Sequence, residues 1–267
     1  MSIRSVKTRF GAFQVELASD FYGDSFWDKI ENGSYEPDTM NFLALCVNKD
    51  TDFIDVGVAN GAISIIAALL GARVLGYEAM PGICAVATHN IELNKLASVV
   101  EIRNKAISSR GGVMQLSNGS DPTVLSSITF SGIEDQQIQI HADSLTSAIN
   151  EFHMLNKRLV IKIDIEGAEW KLLGDVQTIE TLKVHKAIVL LAIHPGFHRP
   201  FRNLPFGLTP VSKYLWHIRN AFECLKIFRN VAAKGNILRT NLDAVRSPKR
   251  VVALMFGGCH EFILDFR

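Results

Sequence analysis

The stretch Phe53-Ile54-Asp55-Val56-Gly57-Val58-Ala59-Asn60-Gly61 constrains this chain more than any other. Apolar residues around one acid read as a buried strand, and glycines follow where it stops. Ile63, Ile65, Ile66, Ala67, Leu69 and Leu70 then read as a helix packed on a sheet. Strand, glycine turn and helix make the first half of a doubly wound nucleotide site. Gly57 is expected to turn the backbone sharply and let a ligand come close. Gly61 opens the helix, where N–H groups lack intrahelical partners. A second strand over Arg73–Tyr77 ends on Glu78, and an acid about 20 residues beyond such a turn accepts both ribose hydroxyls.

The spacing steers away from a dinucleotide. A pyrophosphate site wants G-x-G-x-x-G, with the phosphates on the helix N-terminus. Here the pattern is D-x-G-x-x-x-G, with Asp55 in front. An acid beside the turn repels a pyrophosphate and accepts bonds from an ammonium group. S-adenosylmethionine suits such a turn, being cationic at its sulfonium and amino groups and free of phosphate. The 267 residues, 48% of them hydrophobic, suffice for one α/β domain with additions. A formal net charge of +1 selects no class of partner. Cys46, Cys84, Cys224 and Cys259 are scattered without a C-x-x-C, which fits reduced thiols in a cytoplasmic enzyme better than a zinc site or disulfides. Residues 1–13 hold no apolar signal core, and no apolar run approaches the roughly 20 residues that span a bilayer.

In chain order, Ile3–Leu17 alternates as a hairpin around Gly11. Asp20–Asp38 is acidic, with Phe21, Tyr22, Phe26, Trp27 and Ile30 at helical spacing, and reads as an amphipathic cover or a flap over the cofactor. Asp38 or Thr39 should cap a helix running to about Cys46. The core follows: strand Phe53–Val56, helix Ala62–Leu70, strand Arg73–Tyr77, helix Pro81–Asn94 and strand Val99–Ile102. Val113–Leu116 and Gln137–His141 read as added strands, with a polar loop over Ser117–Asp135 between them. Helix Leu145–Phe152, capped by Asp143, strand Leu159–Ile165, helix Trp170–Leu182 and strand Ala187–Ile193 complete it. This alternation predicts a doubly wound, mostly parallel sheet. Val211–Phe222 suggests a helix, Phe222–Phe228 or Val251–Phe256 an edge strand, and Val251–Phe256 with Glu261–Phe266 an antiparallel hairpin. The expected organisation is a cover over residues 1–50, a cofactor-binding core over 51–195, and a basic insert with closing strands over 196–267.

Lys162-Ile163-Asp164-Ile165-Glu166-Gly167-Ala168-Glu169 resembles the hallmark of the FkbM family of S-adenosylmethionine-dependent methyltransferases. The Asp55–Gly61 turn is similar to that family's opening motif. Asn90-Ile91-Glu92-Leu93-Asn94, Asn104-Lys105-Ala106-Ile107 and Ala142-Asp143-Ser144-Leu145 match its waypoints in order. The likeness covers about Tyr35 to Pro195. It implies a class I methyltransferase fold and methylation of hydroxyl oxygens on sugars and secondary metabolites. The chain departs from the pattern after Glu78, where the family places a proline at once, and at His194, where many members carry an acid.

The residues themselves point to the same crevice, since ligands of open α/β sheets bind outside the carboxyl ends of the strands. Asp164 and Glu166 stand where a strand beside the first one stops. Acids there hold an amino group, take a proton from a hydroxyl, or bind a divalent ion; no obligatory metal is expected. Glu169 is a helix-start residue or a third acid of the site. Asn104 bonds the adenine amino group or serves a turn. Asn60 holds the glycine turn or touches the methionine carboxylate. His194 closes the fifth strand and is either a general base or a packed side chain; Glu166 is the second candidate base. From Arg199 to Arg250 eleven Lys or Arg residues face two acids, Glu223 and Asp243, with aromatics interleaved. That segment is a solvated basic face, a clamp for an acidic or phosphorylated sugar, or a track for nucleic acid. The expected activity is O-methylation of a hydroxyl on a sugar-containing or other small molecule. A nucleic-acid methyltransferase and a non-catalytic S-adenosylmethionine-binding module are the alternatives. The absence of a D/N-P-P-Y-like motif speaks against the first.

Overall fold

A computed structural model describes residues 2–17, 23–117, 137–165, 169–193, 222, 224–245, 247–256 and 261–267. Strands β1 (Ser2–Thr8) and β2 (Gly11–Leu17) form the expected hairpin, with Thr8 opposite Gly11. Its Val6, Phe13 and Val15 are buried. Helix α1 (Asp24–Glu31) buries Trp27 and Ile30. Its acids are partnered: the Arg4 guanidinium bonds Asp24 at 3.0 Å and Asp28 at 2.7 Å, and also bonds Glu31. Helix α2 (Pro37–Cys46) starts two to three residues earlier than expected. Pro37 supplies the preset first-turn φ, and Glu36, not Asp38 or Thr39, sits at the cap.

The core elements follow in the expected alternation. They are β3 (Thr51–Val56), α3 (Ala62–Leu69), β4 (Arg73–Tyr77), α4 (Pro81–Leu93) and β5 (Val100–Arg103). A small side sheet comes next, from β6 (Ala106–Ser108), β7 (Gly112–Ser117) and β8 (Gln137–Ser144). Helix α5 (Leu145–Phe152) is capped by Ser144, whose hydroxyl accepts from the Ser147 N–H at 3.0 Å. Asp143 is drawn away instead, bonded by the Lys105 ammonium at 2.9 Å. Strand β9 (Arg158–Ile163) returns to the centre of the sheet. The expected single helix over Trp170–Leu182 is two, α6 (Glu169–Gly174) and α7 (Val176–Val184). Asp175 divides them by accepting from the Thr178 N–H at 2.8 Å, so its side chain starts a new helix. Strand β10 (Ile188–Ala192) follows.

The carboxyl-terminal elements differ most from expectation. Residues 224–234 are helix α8, β11 is Asn236–Arg239, α9 is Pro248–Phe256 and β12 is Glu261–Asp265. Neither Phe222–Phe228 nor Val251–Phe256 adds an edge strand, and in place of the expected hairpin β12 pairs antiparallel with β10 and β11. The buried positions explain this. Cys224, Ile227, Phe228 and Val231 recur at helical spacing, as do Val251, Val252 and Met255.

Among the described residues the main sheet has the order β5-β4-β3-β9-β10-β12-β11. Strands β5, β4, β3, β9 and β10 are parallel, and β12 is antiparallel to both its neighbours. One apolar cluster packs one face of the sheet with Trp170, Phe228, Phe262 and the carboxyl-terminal helices. A second packs the other face with Phe13, Trp27, Phe42 and α3. The sheet therefore winds outward in both directions from β3 and β9, and the crevice lies at their carboxyl ends.

Candidate functional site

The end of β3 is built around two glycines. Gly57 has φ +91°, and a Cβ there would lie 2.1 Å from the Asp164 carbonyl oxygen. What comes close at Gly57 is thus the neighbouring strand's backbone, so the glycine locks β3 to the end of β9. Gly61 caps α3 at φ +90°, with Ala87 of α4 at 3.4 Å from a Cβ built there. Asn60 accepts from the Ala62 N–H at 3.1 Å, satisfying one orphan donor of α3. The Asn60 carbonyl takes the Asn90 amide at 2.9 Å, and Asn90 also accepts from the Glu16 N–H at 2.9 Å. Asn90 therefore ties the amino-terminal hairpin to the glycine turn.

Asp55 is fully buried. Its Oδ2 accepts from the Ser64 hydroxyl at 2.7 Å, and its Oδ1 has no hydrogen-bond partner. Burial pushes its carboxyl up to about 6, against the pull of Lys162 and Ser64. The Nδ2 of Asn60 is likewise buried and unpaired. One orphaned acceptor and one orphaned donor thus flank the turn. Buried polar groups without partners are rare and call for a ligand, an ion or water.

Glu78 closes β4. One of its carboxylate oxygens accepts from the Ala59 N–H at 3.0 Å and the other from the Met80 N–H at 3.0 Å. Burial raises its pKa, and these N–H groups oppose the rise. Each oxygen keeps a lone pair for a ribose hydroxyl. Asn104 follows β5 and donates to the carbonyls of Glu78 at 2.9 Å and Ala79 at 3.1 Å. Its amide nitrogen is spent on holding the strand end, and its carbonyl oxygen is the atom an adenine amino group would use.

Asp164 stands just beyond β9, and its Oδ2 receives the Lys162 ammonium at 2.8 Å. Glu169 is buried in the first turn of α6, in keeping with a helix-start residue. Glu166, Gly167, Ala168 and His194 lie outside the described residues, as do His198, Arg199, residues 118–136 and the expected helix over 211–221. So Asp55, Gly57, Asn60, Gly61, Glu78, Asn104 and Asp164 all come together at the carboxyl ends of β3, β4, β5 and β9.

Four further residues join them. Ser64 and Lys162 are buried partners of the acids. Glu36 is held at φ +38°, unusual for a residue with a side chain, and its charge acts on Asp55, Lys162 and Glu261. Glu261 opens β12 opposite Ala192, at the carboxyl end of β10. Burial first, then the Glu36 and Asp38 carboxylates, push Glu261 up to about 7. A lone serine in an apolar helix and a lone lysine in an apolar strand were the signals for the first two. Nothing local marked the glutamates.

The strand order with antiparallel β12, the glycine turn and the acid after β4 define the class I methyltransferase fold. A model of the methyltransferase FkbM domain matches residues 55–226, more than half of the chain, and the chain belongs to that family. The cofactor of this domain is S-adenosylmethionine. The orphaned atoms fit it: an ammonium suits Asp55 Oδ1 and a carboxylate suits Asn60 Nδ2, and the methionine half carries both. Two ribosomal protein L11 methyltransferases, from Alkaliphilus oremlandii and Heliobacterium modesticaldum, are 36% and 43% identical over 58 residues, 21% of this chain. The chain spans 18% of the length of each. Among solved structures, a geranyl diphosphate methyltransferase in complex with SAM is 10% identical over 91% of this chain and 88% of its own, with a TM-score of 0.45. The methyltransferase FkbM of Methylobacillus flagellatus is 13% identical over 93% of this chain and 56% of its own, with a TM-score of 0.41. At those scores the two structures add no weight to the assignment.

Proposed function

We propose that this chain transfers the methyl group of S-adenosylmethionine to a hydroxyl oxygen of a sugar-containing or other small acceptor. The unpaired, buried Oδ1 of Asp55 beside a glycine turn that offers no phosphate cradle carries the reading. When bound, the cofactor supplies a methyl group activated by a sulfonium. Asp55 and Asp164 hold its amino group, Asn60 its carboxylate, Glu78 the ribose and Asn104 the adenine. Gly57 locks the turn to the end of β9 and Gly61 seats it against α4, which holds these groups in place around the cofactor. This fixes the cationic half over the ends of β3 and β9, so that the acceptor enters from the side of β10.

An alcohol that attacks a methyl sulfonium must lose its proton during the step. His194 is the proposed base, because an imidazole titrates near neutral pH, and Glu166 orients or replaces it. Removal of His194 should cost about 100-fold or more in turnover, since such a base typically contributes 10²- to 10⁴-fold. The test is release of S-adenosylhomocysteine with a panel of hydroxylated acceptors, measured for the wild type and His194→Ala across pH. The variant should lose the acid limb of the pH–rate profile and keep its affinity for the cofactor. Near-normal turnover with an unchanged profile would return His194 to a packing role and make Glu166→Gln the next variant. Activity should persist in EDTA.

The basic segment 199–250 favours a second reading, methylation of nucleic acid. Transfer confined to RNA or DNA acceptors, with binding that weakens steeply with salt, would establish it over the first.

A further inference from the structure

Lys162 is a lysine inside a parallel sheet. Leu159, Val160, Ile161 and Ile163 of β9 are buried, and Lys162 is 5% exposed among them. A buried ammonium is costly unless paired. Its Nζ lies 2.8 Å from Oδ2 of Asp164. Across the ladder its partner on β3 is Asp55, so both side chains leave the sheet on one face. We propose that Lys162 is a positioning residue for methyl transfer: its ammonium, bonded to Asp164 and carried on the ladder partner of Asp55, keeps the Asp55 carboxylate ionised and leaves Oδ1 of Asp55 to receive the cofactor's amino group. The inference rests on the S-adenosylmethionine site proposed above.

The groups that act on Asp55 come from four elements. Lys162 and Asp164 belong to β9 and its end, Ser64 to α3, Glu36 to the start of α2 and Glu78 to the end of β4. Among these described groups Lys162 is the one cation. Burial and three other acids drive Asp55 toward its neutral form, which cannot make a charge-assisted bond. Lys162 opposes them. Burial works against the Lys162 charge too, but Asp164, Asp55 and Glu36 outweigh it and hold the ammonium above the ordinary lysine range. Two carboxylates around one ammonium leave a net single negative charge, which complements the cofactor's net positive charge. After transfer the sulfonium is a neutral thioether, and that complement is gone.

A purely structural ion pair between Lys162 and Asp164 would affect stability and leave the titration of cofactor binding alone. The experiment is therefore calorimetric binding of S-adenosylhomocysteine from about pH 5.5 to about pH 9, where a buried carboxylate titrates. It compares the wild type, Lys162→Met, Lys162→Arg and Asp55→Asn. Wild-type affinity should be level above about pH 7 and weaken as pH falls through about 6, where Asp55 takes up its proton. Lys162→Met should move that midpoint up by about one pH unit or more and recover affinity at the alkaline end. Lys162→Arg should keep the wild-type midpoint, and Asp55→Asn should bind weakly with no midpoint at all. A Lys162→Met variant with the wild-type midpoint overturns the inference. If that variant does not fold, an Asp55→Asn protein that still titrates like the wild type overturns it equally. Failure of the wild type to bind at any pH removes the cofactor site itself, a distinct outcome.

Discussion

At Asp55 folding and the proposed binding role pull in opposite directions. Its carboxyl is held at about 6, above the ordinary 3.8, because burial disfavours its charge. A raised folded value means that its stabilising contribution is complete below about pH 4 and is lost as pH rises through about 6. The ionised form needed to hold an amino group thus costs the cofactor-free fold up to about 3 kcal/mol at neutral pH. Asp55→Asn cannot ionise, keeps the Ser64 hydrogen bond, and should match or exceed the wild type in melting temperature at about pH 7.5, with little gain near pH 4. The same variant should lose most of the thermal stabilisation that S-adenosylhomocysteine gives the wild type. A variant less stable than wild type at both pH values would show that the charge itself holds the fold. Asp55, Gly57 and Glu78 were legible in the sequence because a strand, a turn and a helix fix their spacing. Ser64 and Lys162 were not assigned roles, because their partnership with Asp55 depends on which strands become neighbours. Asp143 was misread as a cap for the same kind of reason: Lys105, in another strand's flank, competes for it.

At the scale of elements, the joint between β3 and β9 carries the site. Gly57→Ala adds a Cβ that must displace the Asp164 backbone and forces a side chain into φ +91°. The loss should be on the order of 3 kcal/mol or more, with cofactor binding lost even in protein that remains folded. Asp175→Ala makes the contrast. It removes the cap of α7, remote from the strand ends, and should cost about 1 kcal/mol with cofactor affinity unchanged. Thermal melts and calorimetry on the two variants separate these outcomes; equal losses of affinity in both would contradict the placement of the site. The parallel core was readable because β3, β4 and β9 are largely apolar runs that stop at a glycine or an acid, and β10 is wholly apolar. The carboxyl-terminal part was not, because β-branched Val251 and Val252 in a short apolar run look like strand, and the i, i+3, i+4 stripe was hidden by basic residues around it. β11 escaped notice because it is four residues long and its pairing comes from β12, far along the chain.

For the molecule as a whole, two apolar clusters sandwich one sheet. The amino-terminal hairpin and α1 cover one face, and α8 and α9 cover the other. Thr240, just after β11, donates to Asp38 of α2 at 2.7 Å, tying the carboxyl-terminal strands to the helix that precedes the core. Among the described residues no helix is long and apolar enough to cross a membrane. The proposed site lies at the carboxyl ends of β3, β4 and β9, and its meaning depends on which ligand binds there. Calorimetric titration of the wild type with S-adenosylhomocysteine and with NAD, repeated on Glu78→Ala, tests it most directly. The account predicts binding of S-adenosylhomocysteine, none of NAD, and a loss of about 1.5–3 kcal/mol in Glu78→Ala from charged hydrogen bonds to the ribose. Tighter binding of NAD, or wild-type affinity in Glu78→Ala, would contradict it.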